Sequence, residues 1–283
     1  QVQISMNLVN YEKSPMFRVY EMIKVEARRY GVPVVGSEIV GLTPLKAITK
    51  TADFYLGMEN FKMNQVLEYK LKSRKLAARE GTKGFLDLVA AKTATPGGGS
   101  VAALAGALAG ALGAMVCRLT VGKKKYAAVS GELTEVLNKI DNLRSELTFL
   151  IEKDAQAFDQ VMTAMKMPKY TDFEVQQRDL RLQEATILAA SVPLEVMEKT
   201  VAVMELLPVM AEKGNENSIS DVGVANLMAN SALRGAHLNV RINIPGLADE
   251  KKKTELSDKA ADLLKKAEKL FGRTEKIVES KLQ

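Results

Sequence analysis

The chain opens on an alternation. Val2, Ile4, Met6 and Leu8 are apolar and separated by polar residues, the period of a strand with one buried face. The period then lengthens. Ser14 and Pro15 suit an N-cap and first helical position, and Phe17, Tyr20, Ile23 and Ala27 follow at helical spacing until Gly31. Residues 32–35 read as a second, buried strand, and Thr43–Pro44 opens another short helix. Strand, helix, strand in this order is a βαβ unit, normally part of a larger sheet. Two strands alone are not independently stable. Residues 1–60 therefore read as a fragment of an α/β domain.

From 61 to 80 the chain turns polar and rich in Lys and Arg, as expected of a linker. Beyond it, over 81–283, the periodicity is helical. A short helix is expected over 82–91 and an apolar one over 100–121. A very long helix over 131–165 carries Leu133, Leu137, Ile140, Leu143, Leu147, Leu150 and Ile151 as its core stripe. Asp172 is expected to cap a helix ending near 190, and Pro193 to begin another that stops at Gly214. One more covers 220–240. The last shows Leu256, Ala260, Leu263, Leu264, Ala267, Leu270 and Phe271 on one face. So many helices in succession make a bundle. The expected class is mainly α, a helical bundle with a small N-terminal α/β fragment.

Composition narrows this. Hydrophobic residues make up 47% of the chain, enough for a full core, while aromatics reach only 5% and Trp is absent. Ala-, Gly- and Leu-rich cores suit closely packed helices. One Cys (Cys117) and one His (His237) cannot form an internal disulfide or an ordinary structural zinc site. No metal site is expected, and a reducing cytoplasm fits. The net charge of +6 could attract an anionic small molecule. Without a basic tract interleaved with aromatics, nucleic-acid binding is not expected. The uninterrupted apolar run 101–117 falls short of the roughly 20 residues that cross a bilayer, so it reads as a buried helix rather than a membrane span. No signal-peptide pattern opens the sequence.

The most unusual segment is Thr95-Pro96-Gly97-Gly98-Gly99-Ser100, feeding directly into the apolar helix. Three glycines let backbone N–H groups approach a ligand, and Ser100 is a good N-cap at an electropositive helix end. A plain flexible loop explains the glycines equally well, and the segment is no P-loop. Gly106, Gly110 and Gly113 form a smooth stripe better explained by helix packing, within a subunit or across a dimer. Lys123, Lys124, Lys125 and Tyr126 follow that helix; lysines cap a helix C-terminus favourably, and they could also hold an acidic ligand tail. Asp154 lies beside the apolar stripe of the long helix, where a carboxylate is unfavourable unless used or paired. Asp159 points about 140° away and reads as surface. Between 218 and 243, Asn226, Asn230, Arg234 and Arg241 fall on one stripe with His237 beside it, while Asp221 and Asn239 lie on another. The mixture suggests a helix lining a polar cleft. His237 ranks low as a catalyst, and Asp221 is also explained as a helix N-terminal charge.

These residues resemble a known family. Phe85-Leu86-Asp87-Leu88-Val89-Ala90-Ala91 and the 95–103 loop, with Leu119 to Tyr126, Asp154-Ala155, Ser220-Asp221-Val222-Gly223-Val224, Ala232 to Ala236 and Asn239 to Asn243, are similar to the cyclodeaminase/cyclohydrolase family of folate enzymes. Gln3 to Leu8 and Val34 to Pro44 resemble the second half of glutamate formimidoyltransferase. That family's catalytic His lies in the half this chain lacks, so transferase activity is not expected here. The order of the two pieces is that of the bifunctional formimidoyltransferase-cyclodeaminases.

The resemblance implies a helical homodimer, or a higher homo-oligomer, that converts 5-formimidoyltetrahydrofolate to 5,10-methenyltetrahydrofolate and ammonia. Asp154 and Asp221 become the candidate catalytic residues. Pro96, Gly97, Gly98, Gly99, Ser100, Lys123, Lys125, Tyr126, Arg234 and Asn239 become candidates for binding a folate, with or without a polyglutamate tail. No tightly bound cofactor is implied, since the tetrahydrofolate derivative is itself the substrate. The alternatives are a methenyltetrahydrofolate cyclohydrolase and a non-catalytic folate-binding or assembly module.

Overall fold

Residues 2–67 and 81–282 of the computed structural model are described, and their regular structure is helical throughout. Most of the expected linker, residues 68–80, lies outside them. The chain divides into two units, residues 1–86 and 87–283.

In the first unit, α1 (Met16–Arg29) and α2 (Leu45–Leu56) form where helical periodicity was expected. Phe17 stacks on Phe54 with ring centroids 4.1 Å apart and joins them. The two expected strands are not formed. Segments 2–8 and 32–35 are irregular, and Val2, Ile4 and Val35 are exposed. A strand is held by ladder partners and a covered face. Here the first stretch is instead tied by a side chain to the residues after the second, Gln3 Nε2 donating to Glu38 Oε1 at 3.4 Å. The class remains mainly α, and the α/β character of the N-terminal piece is not realised.

A short helix, α3 (Gly81–Val89), spans the division between the units. The second unit then builds a bundle from α4 (Gly98–Thr120), α5 (Ser130–Met165), α6 (Asp172–Lys213), α7 (Ile219–Asn243) and α8 (Glu250–Leu282). Its centre is α4. A Cβ added at Gly106 would meet Leu147 and Thr200, one at Gly110 would meet Arg144, and one at Gly113 would press on Ile140 and Met210. The glycine stripe therefore packs α5 and α6 tightly against α4 within the one chain. Leu133, Ile140, Leu147 and Leu150 of α5 are buried as expected, with Leu137, Leu143 and Ile151 half-buried against the core. Each such leucine contributes about 2 kcal/mol by leaving water.

At 23 residues α4 exceeds the expected run and is long and apolar enough to cross a membrane, yet 61% of its apolar window is buried inside the bundle. Its outward side stays apolar, with Val101, Leu108 and Leu119 exposed. The neighbouring α7, antiparallel to α4, adds exposed Leu227, Leu238 and Ile242.

Two helices expected over 172–190 and 193–214 are a single helix, α6, with Pro193 and Pro208 inside it. Pro193 has no N–H to give the Ala189 carbonyl four residues back. Asn243 Nδ2 of α7 fills that place, donating to Ala189 O at 3.0 Å. The same nitrogen donates to Asn239 O at 2.8 Å. The N-terminus of α6 is capped by Thr171 rather than Asp172, in a reciprocal box with Glu174. Along the parallel pair α6 and α8, Glu198–Lys259, Glu205–Lys266 and Glu212–Arg273 form an ion-pair ladder at seven-residue intervals, the repeat of a coiled-coil seam.

Candidate functional site

The glycine segment lies where three helices meet. Helix α4 starts at Gly98 with Gly97 in the cap position, and it has no side-chain cap of its own. Ser100, expected as the N-cap, is instead the third helical residue, with 0% exposure. Its hydroxyl donates to Asp154 Oδ2 of α5 at 3.0 Å. The Asp154 carboxyl sits directly over Gly99, where a Cβ would lie 2.6 Å from Oδ2. Gly99 is thus the seat of this carboxyl, and any side chain would displace it.

Burial pushes the Asp154 carboxyl above its ordinary pKa, and hydrogen bonds from the Ser100 side chain and backbone pull the other way. Such a group can hold a proton closer to neutral pH than an exposed aspartate. Further along α5, Thr95 Oγ1 donates to Asp159 Oδ1 at 3.3 Å, so exposed Asp159 ties the loop to the helix. The sequence had left Asp159 as plain surface, and nothing in its spacing signals this contact.

On the other side of the floor stands Asn239 of α7, 3.4 Å from the position of a Gly98 Cβ. Its amide orientation is fixed by chemistry. Nδ2 donates to Gly235 O at 2.9 Å, and a carbonyl can only accept, so Oδ1 is the free end of the amide. Pro96, Gly97, Gly98, Gly99, Ser100, Asp154 and Asn239 are therefore brought together. The arrangement offers backbone approach, one half-buried carboxyl and one amide oxygen left open by its neighbours. A carboxyl so placed is chemically able to give or take a proton.

The remaining candidates lie elsewhere. Asp221 is near the start of α7, about 27 Å along that helix from Asn239 at 1.5 Å per residue. Lys123, Lys125 and Tyr126 follow the C-terminus of α4, at the same end as Asp221. There the Tyr126 hydroxyl donates to Asn215 Oδ1 at 3.4 Å and accepts from the Glu216 N–H at 3.2 Å. Lys125 Nζ pairs with Glu216 at 2.6 Å. Asn215 completes the knot, its N–H donating to Thr120 Oγ1 at 2.9 Å. Arg234 faces α8 and pairs with Glu268 at 3.7 Å. Asn226 also turns to α8, Nδ2 donating to Phe271 O at 3.1 Å. His237 has its pKa lowered by burial and by Arg241.

The second unit is thus an all-helical bundle with a half-buried carboxyl seated against a glycine-lined helix start. Comparison with known proteins supplies the family. Residues 81–262 match the family model described as formiminotransferase-cyclodeaminase, and residues 1–80 match the formiminotransferase domain. The chain belongs to the formiminotransferase-cyclodeaminase family. It is 44% identical over 207 residues to a methenyltetrahydrofolate cyclohydrolase of Methylorubrum extorquens, covering 73% of this chain and 100% of that one. It is 33% identical over 293 residues to the formimidoyltransferase-cyclodeaminase of Gallus gallus, covering 94% of this chain. The match spans 54% of that bifunctional relative, about half its length. A crystal structure of formiminotetrahydrofolate cyclodeaminase from Thermotoga maritima superimposes with a TM-score of 0.66 at 32% identity, over 73% of this chain and 99% of that one.

Proposed function

We propose that the chain is a formimidoyltetrahydrofolate cyclodeaminase in which Asp154 is the proton-transfer group. The observation that carries this reading is the carboxyl held over Gly99 between the glycine loop and Asn239. The substrate contains both reacting partners. Its N10 adds to the formimidoyl carbon on N5, and the bond from that carbon to the former imino nitrogen then breaks. The departing nitrogen leaves as ammonia after gaining two protons, one of them from N10, and the methenyl product carries the positive charge. Holding N10 against the carbon supplies much of the acceleration. A carboxyl with a raised pKa can protonate the departing amine and, once ionised, accept the N10 proton. This chemistry requires only proton transfer, with no metal or redox cofactor. The open backbone N–H groups of the glycine floor would donate to the carbonyl and ring-nitrogen acceptors of the pterin, and the Asn239 amide oxygen would accept from its N–H groups.

A second reading, methenyltetrahydrofolate cyclohydrolase, is favoured by the 44% identity to the Methylorubrum protein over that protein's whole length. In it the same carboxyl would activate a water that attacks the methenyl carbon. The two are separated by offering each substrate in turn. Methenyl absorbance appearing in step with ammonia from 5-formimidoyltetrahydrofolate supports the first reading. Loss of methenyl absorbance alone, with no turnover of the formimidoyl compound, replaces it with the second.

The working unit is a homodimer in this reading. The apolar outer sides of α4 and α7 call for a cover. A two-fold axis across their middle would bring the Lys123–Tyr126 and Asp221 end of one copy beside the glycine end of the other, within reach of a ligand's tail rather than of its reacting atoms. Sedimentation of the full chain tests it: a monomer that turns over substrate would remove the second copy from the account.

A further inference from the structure

We propose that Ser100 is a positioning residue: its buried hydroxyl holds the Asp154 carboxyl over Gly99 in the one orientation competent for proton transfer. The inference rests on the reading of Asp154 as the proton-transfer group. Three observations carry it. Ser100 has 0% exposure, so its hydroxyl has little access to water and finds its partner in Asp154 Oδ2 at 3.0 Å. That bond is made from the third residue of α4, a position where a serine's own helix offers its hydroxyl no cap role. The Asp154 carboxyl in turn fills the space a side chain at Gly99 would take. Hydroxyl, carboxyl and glycine therefore interlock across two helices, and removing the hydroxyl frees the carboxyl to swing away from the floor.

The charges around this group are otherwise arranged in pairs. Lys153 pairs with Glu195 of α6 at 2.6 Å, and Lys199 of α6 pairs with Glu146 of α5 at 2.8 Å. Asp159 is held by Thr95, while on α7 His237 and Arg241 fall within about 60° of Arg234, which pairs with Glu268 of α8. Ser100 is the residue whose bonds oppose the effect of burial on Asp154. Its loss should raise the carboxyl's proton affinity and so move whichever limb of the pH–rate profile Asp154 governs toward higher pH.

The test is kinetic, on the full chain, with the tetrahydrofolate substrate it turns over. Ser100→Ala should lower kcat about tenfold or more while KM stays within about threefold, the signature of an interaction used in the transition state. The Asp154 limb should move up by about one pH unit, the effect of losing one hydrogen bond to a charged group. Ser100→Cys, of similar size and a weaker donor, should move it in the same direction by less. An unchanged limb and kcat in Ser100→Ala overturn the proposal, and the Cys variant is read the same way if the Ala variant does not fold. Asp154→Asn run alongside keeps the two ideas apart. If it retains full turnover, the role of Asp154 fails. If it is inactive while Ser100→Ala keeps the wild-type profile, only the role of Ser100 fails.

Discussion

The two ends of the antiparallel α4–α7 pair are both polar, but their polar groups are engaged differently. At the lysine end, Lys125, Tyr126, Asn215 and Glu216 spend their bonding capacity on one another and knot the end of α4 to the turn before α7. At the glycine end the neighbours hold each group from behind. Ser100 grips one oxygen of Asp154, and Gly235 takes the amino side of Asn239, leaving its oxygen unclaimed. A polar cluster suits reaction when its members are fixed but not saturated, and by that measure the glycine end is the better place for the proposed site.

Substitutions at the two ends should therefore differ in kind. The largest effect is expected from Asp154→Asn, with turnover down about 10²- to 10⁴-fold in a folded protein. Gly99→Ala comes next. Its methyl displaces the carboxyl, so turnover should drop about a hundredfold, with about 1–3 kcal/mol lost in a denaturant titration because the added atom is overpacked. At the other end, Tyr126→Phe should cost about 1 kcal/mol from its lost hydrogen bonds while kcat stays within about twofold. A large kcat loss there would mean that the lysine end belongs to the chemistry.

Smaller still is a pH-dependent stability difference. Asp154 has its pKa raised on folding, so its charged form is penalised in the native state. The penalty is absent below the unfolded pKa, grows as pH rises from the unfolded toward the folded value, and is fully present above the folded one. Asp154→Asn should thus melt higher than the wild type at neutral pH, and the gap should narrow in acid. The smallest effect concerns Cys117, buried and with its pKa pushed up to about 11. At pH 8 a thiol reagent should label it only after denaturant is added.

Much of the bundle was legible because its stripes repeat: Leu133, Ile140, Leu147 and Leu150 are spaced as buried helix positions must be. What failed involved partners distant in sequence. Val2 to Leu8 alternates like a strand, but alternation cannot report whether a second strand lies alongside. Pro193 reads as a helix start, because the sequence around it does not show that the carbonyl it leaves free, that of Ala189, is satisfied by Asn243, 54 residues further on. In the site, the glycines and Asp154 stood out by their own oddity, a bare loop and a carboxylate on an apolar face. Asp221 and Lys123 to Tyr126 joined them through likeness to a family, and family blocks do not say which end of a bundle each occupies.

Pro193 has a wider consequence. In an isolated helix an alanine there would be favoured by about 3 kcal/mol. Here the proline leaves one acceptor open on the flank of α6, and the amide of Asn243 docks on it while also bonding Asn239 O, on the residue that borders the glycine floor. A fault in one helix thus serves as the address at which another is delivered. Selection for thermal robustness alone would tend to repair it, and the repaired chain would be a sturdier rod with a less certain place for its amide. Where such a proline persists, registration of the neighbouring helix has been bought with helix strength.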